Sequence, residues 1–301
     1  MTGDQPRDFV GYAESPPPPA WPGDARLALN VVVNWEEGAE RNPMDGDLET
    51  EQEVDTRYIV PPGVRELYLE SVFEYGSRRG IWRLLRTLDD FEIVPTVFAC
   101  GLALERSPQI AREFARRGCD FVGHGYRWLP PTGLSREEEL ADIRRCVAAI
   151  EQTTGYEVKG WFARPPSTIN TRSLVAEAGL LYDSGSITDD LPYYDEVAGD
   201  PLLVVPYSLD VNDSKYFKDQ FFLAEDFSSY ACDAFDALYR EGAEAPRMLS
   251  VGLHPRLIGR PGRISGLARF LEHVRKHDDV WITGRDAIAL HWQDRFPPPQ
   301  A

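Results

Sequence analysis

Positive charge is scarce in this chain. Its 301 residues carry 32 Lys and Arg against 49 Asp and Glu, a formal net charge of −17. That balance excludes nucleic acid and anionic membranes as expected partners, and with them polyanionic substrates. Apolar runs are short. None approaches the roughly 18 residues that a membrane-crossing helix needs. The opening stretch, MTGDQPRDFV, has neither a basic segment nor an apolar core, so no secretory signal is expected and the location is expected to be cytoplasmic. Cysteines are few: Cys100, Cys119, Cys146 and Cys232 are scattered, with no CxxC pair, and are expected to be reduced and structural. Nucleotide fingerprints are missing too. No Gly-x-Gly-x-x-Gly follows a strand, and GLLYDSGS lacks the Gly-x-x-x-x-Gly-Lys pattern.

What is present suits one large α/β domain with a sizeable core: 43% of residues are hydrophobic and 27% charged. Residues 1–24, rich in proline (SPPPPAWPGD), read as an extended arm lying on a surface, and 25–301 as a single barrel domain. The chain is organised around LALNVVVNWEEGAE, Leu27 to Glu40. Val31, Val32 and Val33 in succession predict a strand buried on both faces, as in parallel sheets. Arg41–Gly63 is a polar excursion longer than an ordinary connection. A helix is predicted over Val72–Asp90, then a strand in EIVPTVFAC. Next comes a helix capped at Ser107 with Pro108 first and Gly118 just past the end. CDFVGHGYRW is a strand, and Ser135 opens a long helix with Glu138 completing a capping box. VKGWFARPP, LLYDSGS and LLVVPYSLDVND are strands, with a helix at Asn170–Gly179 and a long loop at DDLPYYDEVAGDP. Helix Asp226–Glu241, strand RMLSVGLHPRL, helix Ile264–Lys276 and strand DVWITGRDAI complete the chain. Seven or eight strands alternating with helices predict a parallel α/β fold closed into a barrel.

Chemistry in such barrels sits where strands end. The first strand ends in Trp35, Glu36 and Glu37, and two adjacent carboxylates push one pKa upward. The third ends in His124, Arg127 and Trp128, the fourth in Trp161 and Arg164. The sixth ends in Asp210, Asn212 and Asp213, the seventh in His254 and Arg256. A lone histidine at a strand end is usually a hydrogen-bonded structural group, but five such ends on one rim point to a site. Trp128 and Trp161 also read as packing residues, Arg164 as an ion-pair partner for a glutamate, and IGRPGR as a turn. His273, His277 and His291 read as surface residues. Zinc would need three ligands and an open position, and His254 with Glu36 or Glu37 is not a compact set, so no cofactor is expected.

These strand ends resemble the polysaccharide deacetylase superfamily, whose fold is an irregular (β/α) barrel. NWEEGAER, EYGSRRGIWRLL, GHGYRW, LYDS with DDLPY, LDVND and LHPRLIGRPGR are similar to its metal-independent allantoinase and cyclic imide hydrolase branch, from about Arg7 to Trp292. Metal-dependent deacetylases of this superfamily have an aspartate pair after the first strand and two histidines four apart. Here Glu36-Glu37 and Trp128 stand instead. The resemblance implies ring-opening hydrolysis of a non-peptide C–N bond in a small cyclic amide, ureide or imide without metal, and a homotetramer. Glu36 or Glu37 would be general base and His254 or His124 the acid. Trp35, Arg127, Trp128, Trp161, Arg164, Asn212, Asp213 and Arg256 would bind substrate. Two loops depart from the allantoinase pattern, Ala163–Thr168 and LPPTGLS after Trp128, which leaves the ring open. The alternatives are a metal-dependent N-deacetylase of amino-sugar polymers and a non-catalytic assembly protein.

Overall fold

The computed structural model describes residues 7–52, 59–217 and 223–299. The strands are β1 (Leu27–Trp35), β2 (Thr96–Ala99), β3 (Phe121–Gly123), β4 (Gly160–Trp161), β5 (Tyr182–Asp183), β6 (Tyr193–Val197), β7 (Asp200–Val204), β8 (Arg247–Leu253) and β9 (Val280–Ile282). Helices α1 (Leu67–Tyr75), α2 (Ile81–Asp90), α3 (Gly101–Arg106), α4 (Pro108–Arg117) and α5 (Arg136–Thr154) come from the first half. The second half supplies α6 (Thr171–Glu177), α7 (Asp213–Phe217), α8 (Ala224–Glu241), α9 (Ile264–Val274) and α10 (Arg285–Arg295).

β1 lies inside the sheet, and every residue of it is buried. It pairs in parallel with β8 from Leu27↔Arg247 to Val33↔Leu253. Its other edge is shared, β9 lying beside Leu27–Leu29 and β2 beside Val32–Trp35. Beyond β2 the order runs β3, β4, β5, β7, β6. Strand side chains alternate between faces, and β1 shows the consequence. Leu27, Leu29, Val31, Val33 and Trp35 pack in the layer between sheet and helices. Ala28 and Val32 join Phe98, Val122, Tyr182, Leu203, Val205 and Tyr207 in the barrel interior.

The architecture is thus an irregular (β/α) barrel, as expected, with eight parallel strands. β6 is an addition within the segment whose proline and acidic residues predict a loop. It runs antiparallel to β7 around Ala198 and Gly199, both at positive φ (56° and 93°). Past β7 the chain returns to β8 through one bridge, Asn212↔Gly252, where the Gly252 amide donates to the Val211 carbonyl (2.8 Å).

The capping box forms: Glu138 N donates to Ser135 Oγ (3.2 Å) and Ser135 N to Glu138 Oε2 (2.7 Å). Ser107 occupies the N-cap position of α4 but makes no side-chain cap bond. The helix expected over Val72–Asp90 begins earlier, at Leu67, and is broken by a π turn at Gly76–Gly80. In the described part of the arm, Trp21 is buried against Trp281, His291 and Trp292. His291 is half-buried rather than superficial, its Nε2 bonded to the Pro19 carbonyl (2.8 Å). Part of the excursion, residues 53–58, lies outside the described residues. No described helix is long and apolar enough to cross a membrane.

Candidate active site

The alternation in β1 separates its terminal carboxylates. Asn30, Asn34 and Glu36 continue the inward register of Ala28 and Val32, and Asn34 and Glu36 line a cavity of about 660 Å³ at the C-terminal ends of the strands. Trp35 and Glu37 take the other face. Trp35 is fully buried with its indole edge-on to Phe114 (5.9 Å between centroids). The Glu37 carboxylate lies against the π turn, where a Cβ on Gly76 would come 2.5 Å from Oε1.

Glu36 is the hub of the cavity floor. Its Oε1 lies 3.2 Å from His124 Nε2 and 3.5 Å from His254 Nε2, and its Oε2 lies 2.7 Å from Arg256 Nη2. Arg256 also approaches Glu37, with Nη1 3.6 Å from Oε1, and its backbone N–H donates to the same oxygen (3.2 Å). Each imidazole is oriented from behind. His124 Nδ1 lies 2.6 Å from the Phe162 carbonyl, and its ring stacks on Phe162 at 5.0 Å. A carbonyl only accepts, so Nδ1 carries hydrogen there. His254 Nδ1 lies 2.6 Å from Asp213 Oδ1, while Asp213 Oδ2 accepts from the backbone N–H of His254 (2.8 Å) and of Ile258 (3.1 Å).

Charge separates the two neighbouring carboxylates further. Burial pushes Glu36 up, but Arg256 and the two imidazoles outweigh it and hold Glu36 well below the ordinary range. Burial dominates at Glu37; with Glu36 next to it, its carboxyl rises to about 7 despite Arg256. His254 moves the other way. Burial lowers it, yet Asp213 and Glu36 raise it to about 9, so it is a cation at neutral pH.

The walls are largely apolar, with Phe162, Pro165, Pro166, Ile187, Leu209 and Leu257 around a few polar groups. Trp128 lines the cavity between two guanidinium groups, Arg164 at 3.6 Å and Arg256 at 4.8 Å from its ring centroid. Arg164 itself donates to Glu51 (2.7 Å) and to the Trp128 carbonyl (2.7 Å), so it is both a wall residue and the expected ion-pair partner of a glutamate. Asn212 faces the cavity near the Tyr207 hydroxyl, to which Asn212 Nδ2 (3.4 Å) and Asn34 Nδ2 (3.1 Å) donate.

Glu36, His124, Trp128, Arg164, Asn212, His254 and Arg256 therefore share one cavity. Five expected site residues do not line it. Trp35 and Glu37 fall on the opposite face by strand parity. Arg127 turns to Asp47 (2.9 Å) and the Glu40 carbonyl (2.8 Å). Trp161 packs behind β3, where a Cβ on Gly123 would meet its ring at 2.6 Å. Asp213 is fully buried behind His254 and reaches the cavity only through that imidazole. Asn34, Phe162 and Tyr207 were missed. For Asn34 and Tyr207 the signal was available, since each extends the inward register of its strand, Asn34 from Val32 and Tyr207 from Leu203 and Val205.

Fold and site together define a barrel hydrolase with acid–base groups at the strand ends. Residues 63–182 match the polysaccharide deacetylase family. A putative polysaccharide deacetylase of Schizosaccharomyces pombe is 38% identical over 97% of this chain and 98% of its own length. Among solved structures, a probable polysaccharide deacetylase of Pseudomonas aeruginosa PAO1 is 44% identical, covering 98% of this chain and 100% of that one, with TM-score 0.92. PuuE allantoinase is 43% identical, covering 98% and 99%, with TM-score 0.93. The chain belongs to the polysaccharide deacetylase family and is a hydrolase of that superfamily, of the type that acts on C–N bonds.

Proposed function

We propose that the protein opens a small cyclic amide, ureide or imide by hydrolysing a ring C–N bond, without a catalytic metal. The observation that carries this reading is Glu36 held between two imidazoles and a buried guanidinium at the floor of an apolar-walled cavity. About 660 Å³ suits a compact molecule taken inside. Likeness to PuuE allantoinase over nearly the whole of both chains supports the same direction.

Water attacks the ring carbonyl carbon as Glu36, assisted by His124, accepts its proton. The oxyanion forms beside the Arg256 guanidinium, which lines the cavity. A positioned donor of this kind lowers the barrier by roughly 3 kcal/mol. The ring C–N bond then breaks while His254 Nε2 gives its proton to the leaving nitrogen. The 3.5 Å contact between His254 Nε2 and Glu36 Oε1 returns the proton and closes the cycle.

The donor set does not fit a catalytic cation. Trp128 stands where the second histidine of an i, i+4 pair would be, and the Arg256 guanidinium already sits 2.7 Å from Glu36. A divalent ion there would face that buried positive charge. The test is a hydrolysis panel of hydantoins including allantoin, dihydropyrimidines, succinimide-type imides and N-acetylglucosamine oligomers, each with and without chelator. Ring turnover that persists in chelator is expected, with Glu36→Gln lowering kcat by about 10²-fold to 10⁴-fold. Chelator-sensitive turnover of the sugar oligomers alone would instead make the chain a metal-dependent N-deacetylase.

A further inference from the structure

A second cluster of metal-binding side chains lies on the helical layer. A ring nitrogen from each of His273 and His277 and a carboxylate oxygen of Asp236 all lie within 4.8 Å of one another. Asp236 comes from α8, His273 from the last turn of α9, and His277 from just past that helix. All three are half-buried, not the free surface groups that the sequence suggested for the histidines. Asp236 Oδ1 contacts His273 Nε2 at 2.6 Å. His277 Nδ1 lies 3.2 Å from the His273 carbonyl, which fixes hydrogen on Nδ1 and leaves the lone pair on Nε2. Metal-binding imidazoles are typically held this way, one ring nitrogen donating to a backbone carbonyl while the other faces the ion. The His277 ring is also held edge-on by Tyr239 (4.6 Å) and Phe235 (5.0 Å), which limits its freedom before any ion arrives.

We propose that Asp236, His273 and His277 bind a divalent transition-metal ion of the Zn²⁺ type. Two imidazoles and one carboxylate favour such an ion over the harder Ca²⁺ or Mg²⁺. Tetrahedral ligands about 2.0–2.1 Å from Zn²⁺ sit roughly 3.3 Å apart, so the 2.6 Å pair of Asp236 and His273 opens slightly as the three donor atoms gather about the ion. The site lies at the end of the barrel away from the cavity. His277 lies three residues before the start of β9, whereas Glu36 and His254 follow the ends of β1 and β8, and these three strands are parallel. Metal found in the protein would then not by itself imply metal chemistry in the cavity.

The experiment is calorimetric titration of ZnCl₂ into the full-length chain stripped by chelator. One saturable site is expected. Asp236→Asn and His277→Gln, which preserve size, should each weaken Zn²⁺ binding at least tenfold, while Glu36→Gln leaves it unchanged. The proposal is overturned if the unsubstituted chain takes up no saturable Zn²⁺, if uptake survives both outer substitutions, or if it vanishes with Glu36→Gln. These readings are independent of turnover, so they stand apart from the ring-opening assignment.

Discussion

Glu36 and Glu37 are adjacent in sequence and opposite in circumstance. Strand alternation turns Glu36 to the cavity and Glu37 to the helix layer, and the same guanidinium acts on both to different extents. Of the two carboxylates, parity leaves Glu36 facing the cavity. Asp213 acts one step further back, through His254. Its negative charge and hydrogen bond hold the imidazole at about 9 against the effect of burial. If His254 is the acid, activity falls as pH rises through about 9, where the proton is lost. Asp213→Asn removes the raising charge, so that limb should move to or below the ordinary imidazole value near 6.5 and kcat/KM at pH 8 should drop at least about tenfold. A pH–rate profile with an unmoved limb would count against His254 as proton donor.

At the scale of elements, the segment from α1 to α2 bears on the site most directly. Its π turn brings Gly76 against Glu37 and Gly80 against the Pro255 carbonyl, between His254 and Arg256. Such single-turn interruptions recur at functional sites, and here the glycines provide the close approach. The atom facing Gly80 belongs to the backbone and cannot rotate away. Gly80→Ala should therefore destabilise the fold by about 1–3 kcal/mol and reduce activity through the displaced Pro255. Gly262 has no such neighbour, so Gly262→Ala should stay within about 0.5 kcal/mol. Comparing urea unfolding midpoints of the two variants checks this, and equal midpoints would remove the packing argument. The β6–β7 hairpin makes a related point about legibility. Its sequence, YYDEVAGDPLLV, contains alternation and a turn, but the proline and acidic residues favoured a loop reading.

For the whole molecule, the buried charges make stability depend on pH. Glu37 has a folded value of about 7 against an ordinary 4.5, because burial favours its neutral form. The folded state thus binds that proton more tightly than the unfolded chain. The corresponding stabilisation is complete below about pH 4.5 and is lost as pH rises to about 7. Glu37→Gln is neutral throughout, so the decline in urea midpoint between pH 5 and pH 7.5 should be smaller in this variant. An unchanged decline would place the linkage elsewhere.

Much of this molecule could be read from the chain alone. The valine run of β1, the capping box at Ser135 and the glycine at 118 are local patterns, set by burial and backbone geometry within a few residues. Polar residues at successive strand ends marked the rim, and Glu36, His124, His254 and Arg256 were all among them. Which of the candidates meet was decided by tertiary structure. Glu36 and Arg256 are 220 positions apart, and only the pairing of β1 with β8 brings them to 2.7 Å. Arg127 and Trp161 had the same sequence credentials, yet Arg127 turns back to Asp47 and Trp161, the last residue of β4, packs behind β3. Residue type and alternation are properties of a short stretch of chain. Convergence depends on how strands far apart in sequence register against one another, and in this barrel that register gathered His124, His254 and Arg256 around Glu36.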